Sequence, residues 1–263
     1  MKYGLLGAKL GHSWSPAIHE LFGGTDFELC QVPPEELDAF LKKHDFLCIN
    51  VTRPYKKDVI PYMATLSDEA RRLGSVNLIA ADAQGELHGF NTDYAGFLYM
   101  VRRAGIDVGG KKVLIFGDGG VSLTVRTAIS DLGAAEIYIV SRRAGDVPEI
   151  VSGQFKRISY AAAYAEHTDA DIIVNATPVG MYPDVDGCPV DISRFPSLQG
   201  VLDVIYNPVC TKLVEAAQEK GIPGSGGLAM VVAQAAAAGP YFFGREIPDE
   251  EIEKVYEQLK ARM

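Results

Sequence analysis

Short apolar runs alternate with stretches whose apolar residues recur at helical spacing, beginning near the N-terminus. Residues 2–6, 27–31 and 46–51 read as strands, with helices over 16–22 and 34–41 between them. This order predicts a largely parallel sheet, because joining parallel strands requires a crossover and the crossover is usually a helix. Segments 76–81 and 86–90 flank Asp82-Ala83-Gln84-Gly85 and read as a hairpin at the edge of this first unit. A helix over about 94–104 leads to Gly105 and the pair Gly109-Gly110, where the pattern places a domain junction. Beyond it come a strand at 112–116, a glycine turn, a helix at 122–132, Gly133 and a strand at 136–140, which is a Rossmann-like order. Further strands are expected at 171–175 and 201–204, and helices at 228–242 and 249–261, the last opened by Ile247-Pro248-Asp249. The predicted class is α/β with two domains, an N-terminal mixed α/β domain and a Rossmann-like one.

Composition narrows this picture. A chain of 263 residues with 48% hydrophobic residues can fill two cores. Its 25 Lys and Arg against 34 Asp and Glu give a net charge of -9 with no basic block, so nucleic acid is not an expected partner. Cys30, Cys48, Cys188 and Cys210 are scattered without a C-x-x-C pair, so neither a zinc site nor a disulfide framework is expected, and no metal is called for. The longest apolar stretch, 227–243, contains Gln234 and Pro240, and Gly7, Lys9 and Gly11 interrupt the start too early for a signal peptide. The expectation is therefore a cytoplasmic protein with no membrane partner.

The segment Gly117-Asp118-Gly119-Gly120-Val121-Ser122 lies between a strand and a helix. Glycines there let the backbone turn sharply and approach a pyrophosphate, while the helix N-terminus offers unpaired N–H donors. Ser122 stands where a strict G-x-G-x-x-G would have its last glycine, so a plain strand-to-helix turn also satisfies the pattern. The next strand ends in Ser141-Arg142-Arg143, where an NAD enzyme typically places an acid for the ribose 2′-hydroxyl. Arginines bind phosphate through paired charged hydrogen bonds, so these residues favour a 2′-phosphate and hence NADP(H) over NAD.

Polar groups cluster after strands in the first half, at Gly11-His12-Ser13-Trp14-Ser15-Pro16, Asn50-Val51-Thr52-Arg53-Pro54-Tyr55-Lys56, Gly74-Ser75-Val76-Asn77 and Asn91-Thr92-Asp93. Singly, each has a structural reading: Ser15-Pro16 as a helix start, Lys56 as a solvated lysine, Thr92 or Asp93 as a cap. Together with Asn175-Ala176-Thr177-Pro178-Val179-Gly180-Met181, the segment from Asp203 to Pro208 and that from Gly227 to Ala235, they resemble the shikimate dehydrogenase family. The matching segments run from about residue 4 to residue 247.

The resemblance implies reversible, NADP-dependent hydride transfer between shikimate and 3-dehydroshikimate. It implies a substrate domain of residues 1–97 plus 239–263, to which the C-terminal helices return, and an NADP-binding domain of residues 98–238. A general base must take the hydroxyl proton as hydride leaves and return it in reverse, and Lys56 and Asp93 match the family's pair for this work. Ser13 and Ser15 match substrate carboxylate ligands, with Thr52 and Tyr206 nearby, while Asn77, Asp93 and Gln234 match residues that read ring hydroxyls. Gly117, Asp118, Gly119, Gly120, Val121, Ser141, Arg142, Arg143, Val204, Gly227 and Met230 are the matching cofactor positions. Three sites depart from the family pattern: Asp118 replaces a small residue and would be unfavourable facing the pyrophosphate, Ser141-Arg142-Arg143 stands for N-R-T with the arginine kept and its neighbours changed, and Trp14 is larger than leucine. A quinate/shikimate dehydrogenase with dual substrate or NAD use, and a non-catalytic ligand-binding paralogue, are the alternatives; retention of Lys56 and Asp93 speaks against the second. A homodimer is compatible with the chain, although no sequence feature encodes it.

Overall fold

The computed structural model describes residues 2–11, 13–144, 149–152 and 155–263. The chain divides into two compact units, residues 1–96 with 232–262, and residues 97–231.

The first unit is built on six strands, β1 (Tyr3–Gly7), β2 (Phe27–Gln31), β3 (Cys48–Val51), β4 (Thr65–Leu66), β5 (Leu78–Ala81) and β6 (Leu87–Phe90). Their order is β2-β1-β3-β5-β6-β4. Strand β1 runs parallel to both β2 and β3, whereas β5 is antiparallel to β3 and to β6, the hairpin the sequence predicts around Asp82–Gly85. Strands buried on both faces carry apolar residues at successive positions. Accordingly Ile49 and Ile79 join Leu6, Leu41 and Phe46 in one core cluster, while their neighbours Cys48 and Leu78 join Ala238 and Phe242 in another. The helices are α1 (Ser15–Leu21), α2 (Leu37–Lys43), α3 (Asp68–Leu73) and α4 (Asp93–Arg103), the last running on into the second unit.

The second unit holds β7 (Lys112–Phe116), α5 (Gly120–Asp131), β8 (Glu136–Val140), β9 (Glu149–Ser152), β10 (Phe155–Ile158), α6 (Tyr160–Glu166), β11 (Ile172–Asn175), β12 (Gly200–Asp203), α7 (Lys212–Glu219) and β13 (Gly224–Ser225). The sheet order is β13-β12-β11-β7-β8-β10-β9, parallel except for the β9–β10 pair. The order reverses at β7, the switch point at which an open α/β sheet forms a crevice beyond its strand ends. Leu114, Phe116, Val140, Ile173 and Val201 share one buried cluster. Val113, Ile115 and Ile139, at alternating positions, are equally inaccessible.

Several expectations are corrected. The helix expected over 34–41 opens as a short 3-10 turn, Pro34–Glu36, before α2. The helix expected over 228–242 is two helices, α8 (Leu228–Ala237) and α9 (Gly239–Phe242), with Pro240 in the first turn of α9. Proline there lacks an N–H and would crowd a carbonyl of the preceding turn if α8 continued through it. Helix α10 (Asp249–Lys260) follows. Ser15 is not the cap of α1 but its first residue; its N–H donates to Ser13 Oγ at 3.2 Å. The start of α4 carries Asn91 as the side chain accepting the Tyr94 N–H, not Thr92 or Asp93. Helices α3 and α7 escaped the sequence reading although Ser67 and Thr211 cap them with side-chain oxygens. Among the described residues, no helix is long and apolar enough to cross a membrane.

Candidate active site

Three loops of the first unit are tied together by backbone hydrogen bonds before any side chain is considered. Val51 N–H donates to Asn77 O at 2.8 Å, Val76 N–H to Lys56 O at 2.7 Å, and Asn77 N–H to Phe90 O at 3.0 Å. The turn carrying Lys56, the loop carrying Asn77 and the start of α4 are thereby fixed at the ends of β3, β5 and β6.

On this frame Lys56 Nζ lies 2.5 Å from Asp93 Oδ2, with side-chain exposures of 28% and 17%. A charge-assisted contact between partly buried groups is stronger than a hydrogen bond between neutral ones. The other Asp93 oxygen accepts from Asn77 Nδ2 at 2.9 Å. Asn77, itself buried, also points Nδ2 at Thr92 Oγ1 (3.0 Å) and at Gln234 Oε1 (3.4 Å), and its Oδ1 accepts the Thr92 N–H at 2.7 Å. Thr92 Oγ1 donates to Gln234 Oε1 at 3.2 Å. An amide nitrogen has two hydrogens, so with three acceptors in reach Asn77 holds Asp93 and Thr92 closely and Gln234 more loosely. One network thus joins Lys56, Asp93, Asn77 and Gln234, all expected site residues, and adds Thr92, to which the sequence reading gave only a capping role.

Ser15 and Gln234 also line a pocket of about 290 Å³, counted with the space at its mouth, together with Asn50, Ile18, Phe27 and Phe242. Asn50 Oδ1 is buried without a hydrogen-bond partner, an acceptor awaiting a donor. Ser13 touches Ser15. Thr52 sits at the start of the Lys56 turn, its N–H donating to Leu6 O and its carbonyl accepting from Tyr55 N–H. His12, named in the first motif, lies outside the described residues.

The remaining expected positions belong to the second unit. Gly117 has φ +112, and a Cβ there would lie 2.7 Å from the Ala176 carbonyl oxygen, so both conformation and space demand glycine. Gly119 and Gly120 face open space, and α5 opens with Gly119 at its N-cap, without a side-chain cap or an acid in its first turn. Free N–H donors beside bare glycines make a cradle that fits a dinucleotide pyrophosphate. Val121 and Ser122 occupy this first turn, where Ser122 is buried and its Oγ has no partner. Ser141 Oγ accepts the Arg143 N–H at 3.1 Å, and Arg142 and Arg143 are exposed. Across the sheet, Gly227 packs against the Val204 carbonyl so closely that a Cβ would overlap it, and Met230 is buried one turn along. Tyr206 lies beyond β12, in a segment anchored by buried Asp203, which accepts from Ile205 N–H, Asn175 Nδ2 and Thr211 Oγ1. Burial pushes the Asp203 carboxyl up to about 6, against those hydrogen bonds.

The Asp118 carboxylate is held by Arg157 of β10, with Nε at 2.9 Å and Nη2 at 2.7 Å. Arg157 and Arg126, a partly buried arginine of α5, were missed by sequence reading. The segment containing β10 is short and its apolar pattern weak, so nothing in it foretold a partner for a residue 39 positions away.

The fold and the two sites place the chain in the class of two-unit α/β dehydrogenases. Residues 5–79 match the shikimate dehydrogenase substrate binding domain. The Clostridium beijerinckii protein named shikimate dehydrogenase (NADP(+)) is 36% identical over 246 residues, covering 90% of this chain and 89% of the relative. The chain belongs to the shikimate dehydrogenase family. Among solved structures, a chorismate mutase/shikimate 5-dehydrogenase fusion protein from Clostridium acetobutylicum superposes with a TM-score of 0.89 at 34% identity, covering 99% of this chain and 97% of that one. Shikimate 5-dehydrogenase from Thermus thermophilus, in complex with NADP(H) and shikimate, gives 0.82 at 28% identity, with 98% and 99% covered.

Proposed function

We propose that this protein catalyses the reversible NADP-dependent oxidation of shikimate to 3-dehydroshikimate, with residues 1–96 and 232–262 as its substrate unit and 97–231 as its NADP-binding unit. The contact that carries the chemistry is Lys56 Nζ on Asp93 Oδ2 at 2.5 Å, inside a network that also includes Asn77, Thr92 and Gln234. Bound NADP supplies the hydride acceptor or donor.

In the ketone-reducing direction the lysine ammonium gives its proton to the oxygen that becomes the hydroxyl. In the oxidising direction the Lys56–Asp93 pair takes that proton back. Asp93 fixes the lysine and, with Asn77 and Gln234, offers hydrogen bonds to the ring hydroxyls. Ser13, Ser15 and Thr52 bind the substrate carboxylate, the role that the family resemblance also gives Tyr206. A site built to pair each hydroxyl rejects analogues lacking one, because its own buried groups would go unpaired. Gly117, Asp118, Gly119, Gly120 and Val121 hold the pyrophosphate at the start of α5, with Ser141, Arg142 and Arg143 at the 2′-phosphate and Val204, Gly227 and Met230 at the nicotinamide. Cysteines scattered without a C-x-x-C pair agree with a cytoplasmic protein.

Absorbance of the reduced nicotinamide, followed with shikimate or quinate paired with NADP or NAD, tests this reading. Turnover is expected fastest with shikimate and NADP. No turnover with any pair would remove the enzymatic reading, and a clear NAD preference would remove the role given to Arg142 and Arg143. Quinate belongs in the test because a quinate dehydrogenase from Corynebacterium glutamicum in complex with NAD superposes with a TM-score of 0.85 at 28% identity, covering 99% of both chains.

A further inference from the structure

Asp118 brings a negative charge into a turn whose other features suit a phosphate. Its carboxylate is 12% exposed, and the two arginines that reach it do so differently. Arg157 directs Nε and Nη2 at a single oxygen, Oδ2, at 2.9 and 2.7 Å. Arg143 instead donates Nη2 to the backbone carbonyl of Asp118 at 2.6 Å, while its approach to the carboxylate is 3.6 Å from a side chain 73% exposed. Solvent screens that longer contact, so it neutralises little. A third cation, Arg126, lies over the Phe155 ring at 5.3 Å; burial lowers its pKa, Asp118 opposes that shift, and its buried Nε has no hydrogen-bond partner. The charge of the carboxylate is therefore taken up chiefly by Arg157 of β10.

We propose that Arg157 is a positioning residue of the 2′-phosphate site: by taking up the Asp118 charge it leaves Arg143, whose shorter contact is to a neutral backbone oxygen, largely available as a cation for the phosphate. This rests on the NADP reading above and adds to it a residue that need not touch the cofactor. Without Arg157, Asp118 confronts the 2′-phosphate directly. Without the Asp118 charge, Arg157 becomes an additional cation at the site.

The test is isothermal titration of NADP+ and NAD+ into the full chain carrying Arg157→Met, Asp118→Asn or both. Arg157→Met is expected to weaken NADP+ binding on the order of tenfold, the size of one charge–charge interaction near a protein surface. NAD+, lacking the 2′-phosphate, should lose much less. Asp118→Asn should tighten NADP+ binding, and the double variant should return to within about threefold of the parent, since charge removed from both partners leaves the site balanced. A double variant as weak as Arg157→Met, equal losses for NADP+ and NAD+, or an unchanged Arg157→Met would each overturn the proposal. If Arg157→Met does not fold, Asp118→Asn decides alone, and weaker NADP+ binding would overturn it. A parent protein that binds NAD+ but not NADP+ would instead sink the cofactor reading itself.

Discussion

At the scale of single residues, Lys56 and Asn77 illustrate two kinds of dependence. Lys56→Ala removes the proton donor without disturbing the backbone bonds of its turn, so kcat should fall by roughly 10²–10⁴-fold. KM for shikimate should change far less; a change in KM alone would make Lys56 a binding residue. Asn77 is buried, and Asn77→Leu would strand the Thr92 N–H and one Asp93 oxygen. A stability loss of about 1–3 kcal/mol by chemical denaturation is expected beside the loss of activity. His19 gives a pH prediction. Its ring packs among Tyr3, Phe27, Phe242 and Phe243, and burial holds its pKa below the usual 6.5. The unfolded chain therefore takes up a proton first as pH falls, so the contribution of His19 is complete above about 6.5 and is lost as pH drops through the lowered folded value. His19→Phe should flatten the acid limb of a denaturation-midpoint profile; an unchanged limb would remove His19 as its source. These residues differed in legibility: Lys56 and Asp93 stood out through their motifs, whereas the pairing of Asp118 with Arg157 could not be read, because sequence spacing does not reveal which strands become neighbours.

At the scale of elements, regular patterns with clear punctuation were legible and short or interrupted ones were not. Strands β7 and β8 fall where their apolar runs place them, since a buried parallel strand leaves little freedom in composition. Strand β10 was missed because four residues beside another short strand carry too little periodicity to register. The break between α8 and α9 was written in the sequence as Pro240, yet the apolar run around it read as continuous. Gly117 marks the strand-to-helix turn more firmly than its neighbours do. Gly117→Ala would meet the Ala176 carbonyl as well as an unfavourable φ, whereas Gly120→Ala meets no atom within 4 Å. Thermal denaturation should show a clear loss for the first and a small change for the second; equal losses would contradict the packing described.

At the scale of the whole chain, the first unit is discontinuous: residues 232–262 complete a body begun by residues 1–96. Ala238 and Phe242 fill the cluster against Cys48 and Leu78, and Ile252, Val255 and Leu259 are buried on α10. Truncation after residue 231 is therefore expected to abolish activity and leave apolar strand faces uncovered, measurable as aggregation in size-exclusion chromatography. A soluble, active truncated chain would refute the dependence.

Gln234 follows its partner Asn77 by 157 residues. On the ribosome, at roughly 5–20 residues per second, the two are made on the order of ten seconds or more apart. For most of that interval the growing chain already carries Lys56 and Asp93 but lacks the amide that closes their network. Residues 97–231 emerge completely before it arrives. The order of synthesis thus makes the nucleotide-type sheet available for folding first and withholds a finished reaction site until the C-terminal segment has left the ribosome.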